Sequence, residues 1–345
     1  MLPIPLQAPA LSVVLPVRDA ASTLDGAIRS VLASRDVELE LVCVNDGSRD
    51  ATPRLLEEWA RRDVRVHVLH TPALGLVSAL NTGLTHARHS RIARMDADDE
   101  MHPERLAAQS ALLDENSALA LVGCRVESFR AGGLRTGYRI YTAWSNALVT
   151  PDEIARSAFI ECPVPHPTWM FRRELILGLG GYQDRAWPED LDLLYRVLAA
   201  GHQVAKVPRV LHRWRDHPQR LSRVDPRYRR EAFSRVKAAY VGRIHPMPAA
   251  VVWGAGRTGR RLVRLLQGEG LPTRALLDIH PSRIGTTWRG LPIFSPERLG
   301  ERVQAWRQEG LRILAAVASR GARSQIRQTL LALGLEEGED FLMLA

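Results

Sequence analysis

Lysine is almost missing from this chain: Lys206 and Lys237 are the only two among 47 basic residues. The net charge of +9 is therefore carried by arginine, and arginine is scattered through every segment. A nucleic-acid binder gathers its basic groups on one face and interleaves aromatics, so this distribution argues against nucleic acid as a partner. The nearest approach to a patch is Arg227, Arg229, Arg230, Arg235, Lys237 and Arg243, flanking an expected helix between two halves. It reads as a solvated linker face, with peripheral contact to a membrane surface as the weaker alternative. Cysteine is scarce too: Cys43, Cys124 and Cys162 are far apart and odd in number, which excludes a disulfide framework and a cysteine zinc site. No apolar run approaches the ~20 residues needed to span a bilayer. The start, MLPIPLQAPALSVVLPV, lacks the charged opening and unbroken apolar centre of a secretion signal, so a cytoplasmic location is expected.

What is present is an ordinary globular composition, 46% hydrophobic and 25% charged, over 345 residues. That length accommodates two domains with separate cores. In the first half short apolar runs alternate with helical periods. Leu11–Val17, Leu39–Val44, Val64–Leu69 and Ser90–Met95 read as strands, with helices between them. Such alternation implies an α/β fold, a mostly parallel sheet with helices on both faces. Ligands in such sheets sit beyond the carboxyl ends of the strands. Residues 131–150 show no clear period and are expected to form a mobile loop. The expected domains are 1–225, a linker helix over 226–248, and a small Rossmann-like α/β unit over 249–345.

Three acidic features fall where this architecture would put a ligand. Val44-Asn45-Asp46-Gly47-Ser48 ends the second strand, a composition that also suits a plain turn and helix cap. A carboxylate there could accept a hydrogen bond from a nucleobase. Asp96-Ala97-Asp98-Asp99 follows the fourth strand. Two like charges ~4 Å apart repel by about 4 kcal/mol near a protein surface. A divalent cation removes that cost, and oxygen ligands suit Mn²⁺ or Mg²⁺. Pro188-Glu189-Asp190-Leu191-Asp192-Leu193 opens a helix, where acids are favoured by the helix dipole but could equally supply a general base.

Together these segments resemble family 2 glycosyltransferases. The resemblance runs through Leu11–Arg18, Val44–Ser48, Ala79–Leu84, Ile92–Asp99, His166–Arg172, Gly180–Tyr182 and Glu189–Leu193, in order, over about residues 10–225. The subgroup it most resembles builds bacterial exopolysaccharide and lipopolysaccharide-type glycans, such as the amylovoran and colanic-acid transferases. The resemblance implies a GT-A fold and an inverting transfer from a nucleotide-sugar to an acceptor hydroxyl. By position, Pro16, Arg18 and Asp19 would line the nucleotide pocket and Asp46 would read the base, with Asn81 and Arg94 also on the donor side. Asp96 would hold ribose and share the metal with Asp98. Asp190 would be the general base, supported by Glu189. His166 and Trp169 would sit near the donor sugar and acceptor, and Arg215 or His217 would meet the diphosphate. The family often has Tyr-Asn where this chain has Arg18-Asp19, which leaves uridine as the leading base with guanosine and thymidine open. The acceptor would be a sugar or a lipid-linked glycan, and a lipid-linked one would place the protein at the inner membrane face.

After Ile244–Pro248, Gly254-Ala255-Gly256-Arg257-Thr258-Gly259 follows a strand and opens a helix, and Asp278 ends the next strand. That is the setting of a dinucleotide fingerprint, in which Gly254, Gly256, Gly259 and Asp278 could hold NAD or another nucleotide. The same glycines also serve close helix–strand packing. Two rivals to the transferase reading follow: an NAD-dependent nucleotide-sugar oxidoreductase or epimerase, and a non-catalytic nucleotide-sugar sensor.

Overall fold

The computed structural model describes residues 8–319 and 321–345; the start Met1–Gln7 lies outside the described residues. The chain separates into two compact units. The first takes residues 1–154, 163–185 and 189–224, and the second takes 155–162, 186–188 and 225–345.

The first unit is built on eight strands. These are β1 (Ala10–Val17), β2 (Glu38–Asp46), β3 (Val66–Thr71), β4 (Arg91–Arg94), β5 (Glu100–Met101), β6 (Leu119–Phe129), β7 (Met170–Arg172) and β8 (Gln203–Arg215). Their order is β3-β2-β1-β4-β7-β6-β8-β5. β1 lies parallel to β2 and β4, and β2 parallel to β3. A strand buried on both faces needs a nearly continuous apolar run, and Leu11-Ser12-Val13-Val14-Leu15 supplies it, with the hydroxyl of its one polar member, Ser12, donating to Glu40 at 2.6 Å. Helices Leu24–Leu32 and Thr52–Arg62 cover the sheet with apolar residues at helical spacing, Ala27, Ile28 and Val31 in one, Leu56 and Trp59 in the other. β7 runs antiparallel between β4 and β6, and β5 antiparallel to the end of β8. This last pairing pins the acidic turn after β4 to the far end of the longest strand.

The segment expected to be a mobile loop contains a helix, Thr136–Ala147. Its periodicity was hidden because its partners are local rather than in a core. Tyr138 and Tyr141 pack on Trp214 at 5.2 and 6.0 Å between ring centres, and the Asn146 side chain bonds the Val126 backbone at both N–H and C=O.

The second unit has a six-stranded sheet in the order β11-β12-β10-β9-β13-β14. Its strands are β9 (Ala250–Trp253), β10 (Thr273–Leu277), β11 (Thr287–Trp288), β12 (Leu291–Phe294), β13 (Arg312–Ala315) and β14 (Phe341–Met343). Helix Arg230–Ile244 belongs to this unit. Its Lys237 is not part of a solvated basic face: the side chain is buried, and Nζ donates to the carbonyls of Ile160 at 2.9 Å and Leu344 at 2.8 Å. Burial pushes that ammonium down to about 8. Among the described residues no helix is long and apolar enough to cross a membrane.

Candidate active site

The carboxyl ends of β1, β2 and β4 meet at one edge of the first unit, because parallel pairing aligns them. After β1 the chain turns at Arg18-Asp19, with Asp19 in the left-handed region at φ 48°. The turn is tied to the one after β2: Asp19 Oδ1 accepts from Arg49 N–H at 2.7 Å, and Asp19 N–H donates to Ser48 Oγ at 2.9 Å. Gly47 is required there by its φ of 64° and by space, since a Cβ would stand 2.8 Å from Ala73 N. Pro16 is buried near the end of β1, beside Val44. Arg18 Nη1 lies 3.5 Å from Asp46 Oδ2. Asp46 itself is buried and accepts from the backbone N–H groups of Leu74 at 2.7 Å and Gly75 at 3.0 Å. Its carboxylate thus holds the loop that precedes helix Leu76–His86.

The turn after β4 gathers Asp96, Asp98 and Asp99, whose nearest ligand oxygens lie within 4.8 Å of one another. The three are not equivalent. Asp99 is turned inward: Oδ1 accepts from Arg215 N–H at 2.8 Å and Oδ2 lies 2.9 Å from His212 Nε2. Buried Arg105 donates to His212 Nδ1 at 3.2 Å, so the ring proton sits on Nε2 and points at Asp99. The same guanidinium donates to the carbonyls of Arg94 and Pro167, both at 2.9 Å, binding the acidic turn to the segment around His166. Asp96 and Asp98 keep carboxylates on the open side. Burial works against the Asp96 charge, but Arg94, Asp96's partner at 2.7 Å, and His166 and Arg220 hold it below its ordinary value. Asp98 lacks such a partner of full charge. Burial, then Asp99 and Asp96, push its carboxyl up to about 7. His217 Nε2 stands 3.1 Å from it. Arg215 does not face outward as a free cation: its Nε donates to the Asp98 carbonyl at 2.8 Å and its guanidinium lies 4.6 Å over the Phe129 ring.

Arg94 is 4% exposed, yet its Nε and Nη1 are buried with no hydrogen-bond partner. Unmet buried donors of a charged group cost about 1–3 kcal/mol or more, and here they belong to a residue that also feels Asp96, Tyr182 and Glu189. Beside it, His166 Nε2 meets the Tyr182 hydroxyl at 2.9 Å and Nδ1 lies 3.6 Å from Glu189 Oε1. Burial, then the Arg94 charge, lower His166 to about 4, so the ring is neutral. Glu189 is 1% exposed, and Asp190 beside it is half-buried, its Oδ1 accepting from Leu191 N–H at 2.7 Å.

Two residues expected at the ligand do other work. Trp169 is fully buried, donates Nε1–H to the Val164 carbonyl at 2.9 Å, and packs edge-on behind His166 at 4.7 Å. Asn81 clamps the backbone of Tyr182, donating to its carbonyl at 2.8 Å and accepting from its N–H at 2.9 Å. One residue was missed. Arg220 donates to the Tyr138 hydroxyl, stacks over Trp214 at 4.4 Å, and its charge acts on Asp96, Asp98 and Asp99. Its position within the basic run Arg213–Ser222 was the available signal, but several arginines share that run.

In the second unit Gly259 serves packing, since a Cβ there would overlap the Gly254 carbonyl oxygen. Gly254 sits at φ 123°. Asp278 accepts from Ala255 N–H and His280 N–H, both at 2.8 Å, and from Arg283 at 3.0 Å.

A sheet of parallel strands carrying clustered aspartates at its carboxyl edge, with a second acidic pair opening a nearby helix, defines a GT-A type glycosyltransferase domain. The family described as Glycosyl transferase family 2 matches residues 12–179. The O-antigen biosynthesis glycosyltransferase WbnJ of Escherichia coli is 30% identical over 192 residues, 54% of this chain and 71% of that protein. The amylovoran biosynthesis glycosyltransferase AmsE of Erwinia amylovora is 31% identical over 173 residues, 50% of this chain and 62% of that protein. Among solved structures, S. aureus TarS 1-349 in complex with UDP-GlcNAc shares the fold with a TM-score of 0.54 and 14% identity, over 75% of this chain and 71% of that one. The chain belongs to glycosyl transferase family 2. Its aspartate cluster resembles a DXD-type site for a divalent cation.

Proposed function

We propose that the first unit transfers a sugar, with inversion, from a nucleoside-diphosphate sugar to an acceptor hydroxyl in the building of a bacterial surface polysaccharide. The observation that carries this is the crowding of Asp96, Asp98 and Asp99, whose ligand oxygens lie within 4.8 Å of one another while Arg94 pairs with Asp96. Three carboxylates so close, one of them lifted to about 7, are an electrostatic cost that a shared cation relieves. The carboxylate oxygens of the cluster fit Mn²⁺ or Mg²⁺, and His217 Nε2 stands beside Asp98 at 3.1 Å. When bound, the cation neutralises charge that develops on a departing diphosphate.

This chain's own groups do the rest. Asp190 takes the proton of the acceptor hydroxyl, and Glu189, held beside His166, orients it. Arg94 offers the N–H groups of its unpartnered Nε and Nη1 to oxygens of the donor. Arg220 brings positive charge to the same edge. Arg18 and Asp19 line the approach to the base, with uridine as the favoured base. Three relatives support this reading: the TarS structure was solved with UDP-GlcNAc, AmsE serves amylovoran biosynthesis and WbnJ O-antigen biosynthesis. AmsE is matched over less than two thirds of its length, so the substrate is taken only as far as its class.

Calorimetry with UDP, with and without Mn²⁺ and with Asp98→Ala, tests the proposal. Metal-dependent binding that the variant loses supports it; equal affinity in all three cases overturns it.

A further inference from the structure

Two adjoining cavities in the second unit share the glycine turn as a wall. One, of about 660 Å³, is lined by Trp253, Ile279, Pro296, Val317 and Ile326 along with the turn itself. The other, of about 460 Å³, is walled by Arg257, Arg260, Arg264, Arg283, Arg289 and Trp288. Gly256, Arg257 and Arg283 line both.

Most of the charge of the arginine cavity has no carboxylate against it among the described residues: of the five arginines Arg283 alone has such a partner, Asp278 at 3.0 Å. Arg260 and Arg289 both lie against Trp288, each 5.4 Å from a ring centre, and Arg260 Nε is buried without a hydrogen-bond partner among the described residues. Helix Arg257–Gly268 starts at this wall with no side-chain cap and no acid in its first turn. The dipole favours acids there, yet the sequence places Arg257 and Arg260. Cations gathered at a positive helix end repel one another and the dipole, and an anion seated between them reverses the sign of every one of those terms.

The same geometry narrows the anion. Gly256 leaves open space in front of the turn, where an added Cβ would approach only Arg283 Nη1, at 3.5 Å. Asp278, the acid that would hold a ribose diol in a dinucleotide site, is already committed to Ala255, His280 and Arg283. A ligand recognised mainly through phosphate remains. We propose that the second unit binds a nucleoside diphosphate, its nucleoside in the larger, partly apolar cavity and its phosphates crossing Gly256 into the arginine cavity. Among the described residues the one cluster of carboxylates able to hold a metal is in the first unit, and here the five arginines supply the positive charge in place of a divalent cation.

The test uses the full chain carrying Asp98→Ala, in EDTA, which silences metal-dependent donor binding in the first unit. Calorimetric titrations with ADP, UDP and inorganic pyrophosphate are compared. The expected result is one equivalent of ADP or UDP bound, more tightly than pyrophosphate. Affinity should fall about tenfold in Arg260→Gln/Arg264→Gln and also in Arg289→Asn, a surface change that the left-handed φ of 52° tolerates. No binding of any of the three probes overturns the proposal. So does binding that both variants leave unchanged. Pyrophosphate as tight as the nucleotides overturns the nucleoside assignment. Failure of the donor reading would appear separately, as a UDP stoichiometry that Mn²⁺ does not raise in the unmodified chain.

Discussion

His217 Nε2 lies 3.1 Å from Asp98 Oδ2, on the carboxylate that burial and the neighbouring Asp99 and Asp96 drive toward neutrality. Asp98 is raised by burial and by two adjacent aspartates, so without a cation the folded chain binds a proton there that the unfolded chain has released. The sign follows: folded-state stability from this group is present below its unfolded value near 4 and is lost as pH rises through about 7. A bound cation replaces that proton. The rise in melting temperature on adding Mn²⁺ should therefore be larger at pH 8 than at pH 5.5, and Asp98→Asn should remove the difference. Thermal melts at the two pH values, with and without metal, decide it.

Asp190→Asn should lower kcat by at least about 100-fold, the usual contribution of a general base, with UDP affinity unchanged. Glu189→Gln should cost less, because a buried amide can still accept from the His166 side. A donor-turnover assay following release of the nucleoside diphosphate separates the two. Full activity in the asparagine variant would remove Asp190 from the reaction.

Arg94→Lys keeps the charge beside Asp96 but loses the two nitrogens, Nε and Nη1, that lack partners. Donor affinity should weaken by about tenfold while thermal stability stays level or rises, since unmet buried donors disappear. Calorimetry and melting temperature measured on one preparation check both halves.

Arg105→Met should unfold the first unit more easily, by about 2–4 kcal/mol. It strands the Arg94 and Pro167 carbonyls and frees His212 from its tautomer. Urea denaturation followed by the fluorescence of Trp169 and Trp214 reads this directly.

Gly259→Ala should loosen the second unit alone, because its Cβ meets the Gly254 carbonyl. Transfer activity in the first unit should persist at temperatures where a separate, earlier unfolding step has appeared in calorimetric scans.

Strand and helix alternation was plain from one-dimensional pattern, because buried parallel strands need uninterrupted apolar runs and the helices between them show a 3.6 period. The aspartates at 96, 98 and 99 and the acids at 189 and 190 could be singled out for the same reason: charge crowded that closely needs a cause. The helix at 136–147 was not readable, because its aromatics answer to Trp214, over sixty residues away.

The sequence alone determined the class of fold, the family and the location of the acidic groups, since these depend on periodicity and on motifs that are short in the chain. Tertiary structure decided the division of labour among those groups. Asp99 became an anchor because β5 pairs with β8 and brings His212 and Arg215 to it. Trp169 and Asn81 became supports, and Arg220 joined the acidic edge. Burial and the direction of a side chain are set by what packs against it from distant segments, and residue type or spacing carries no record of that.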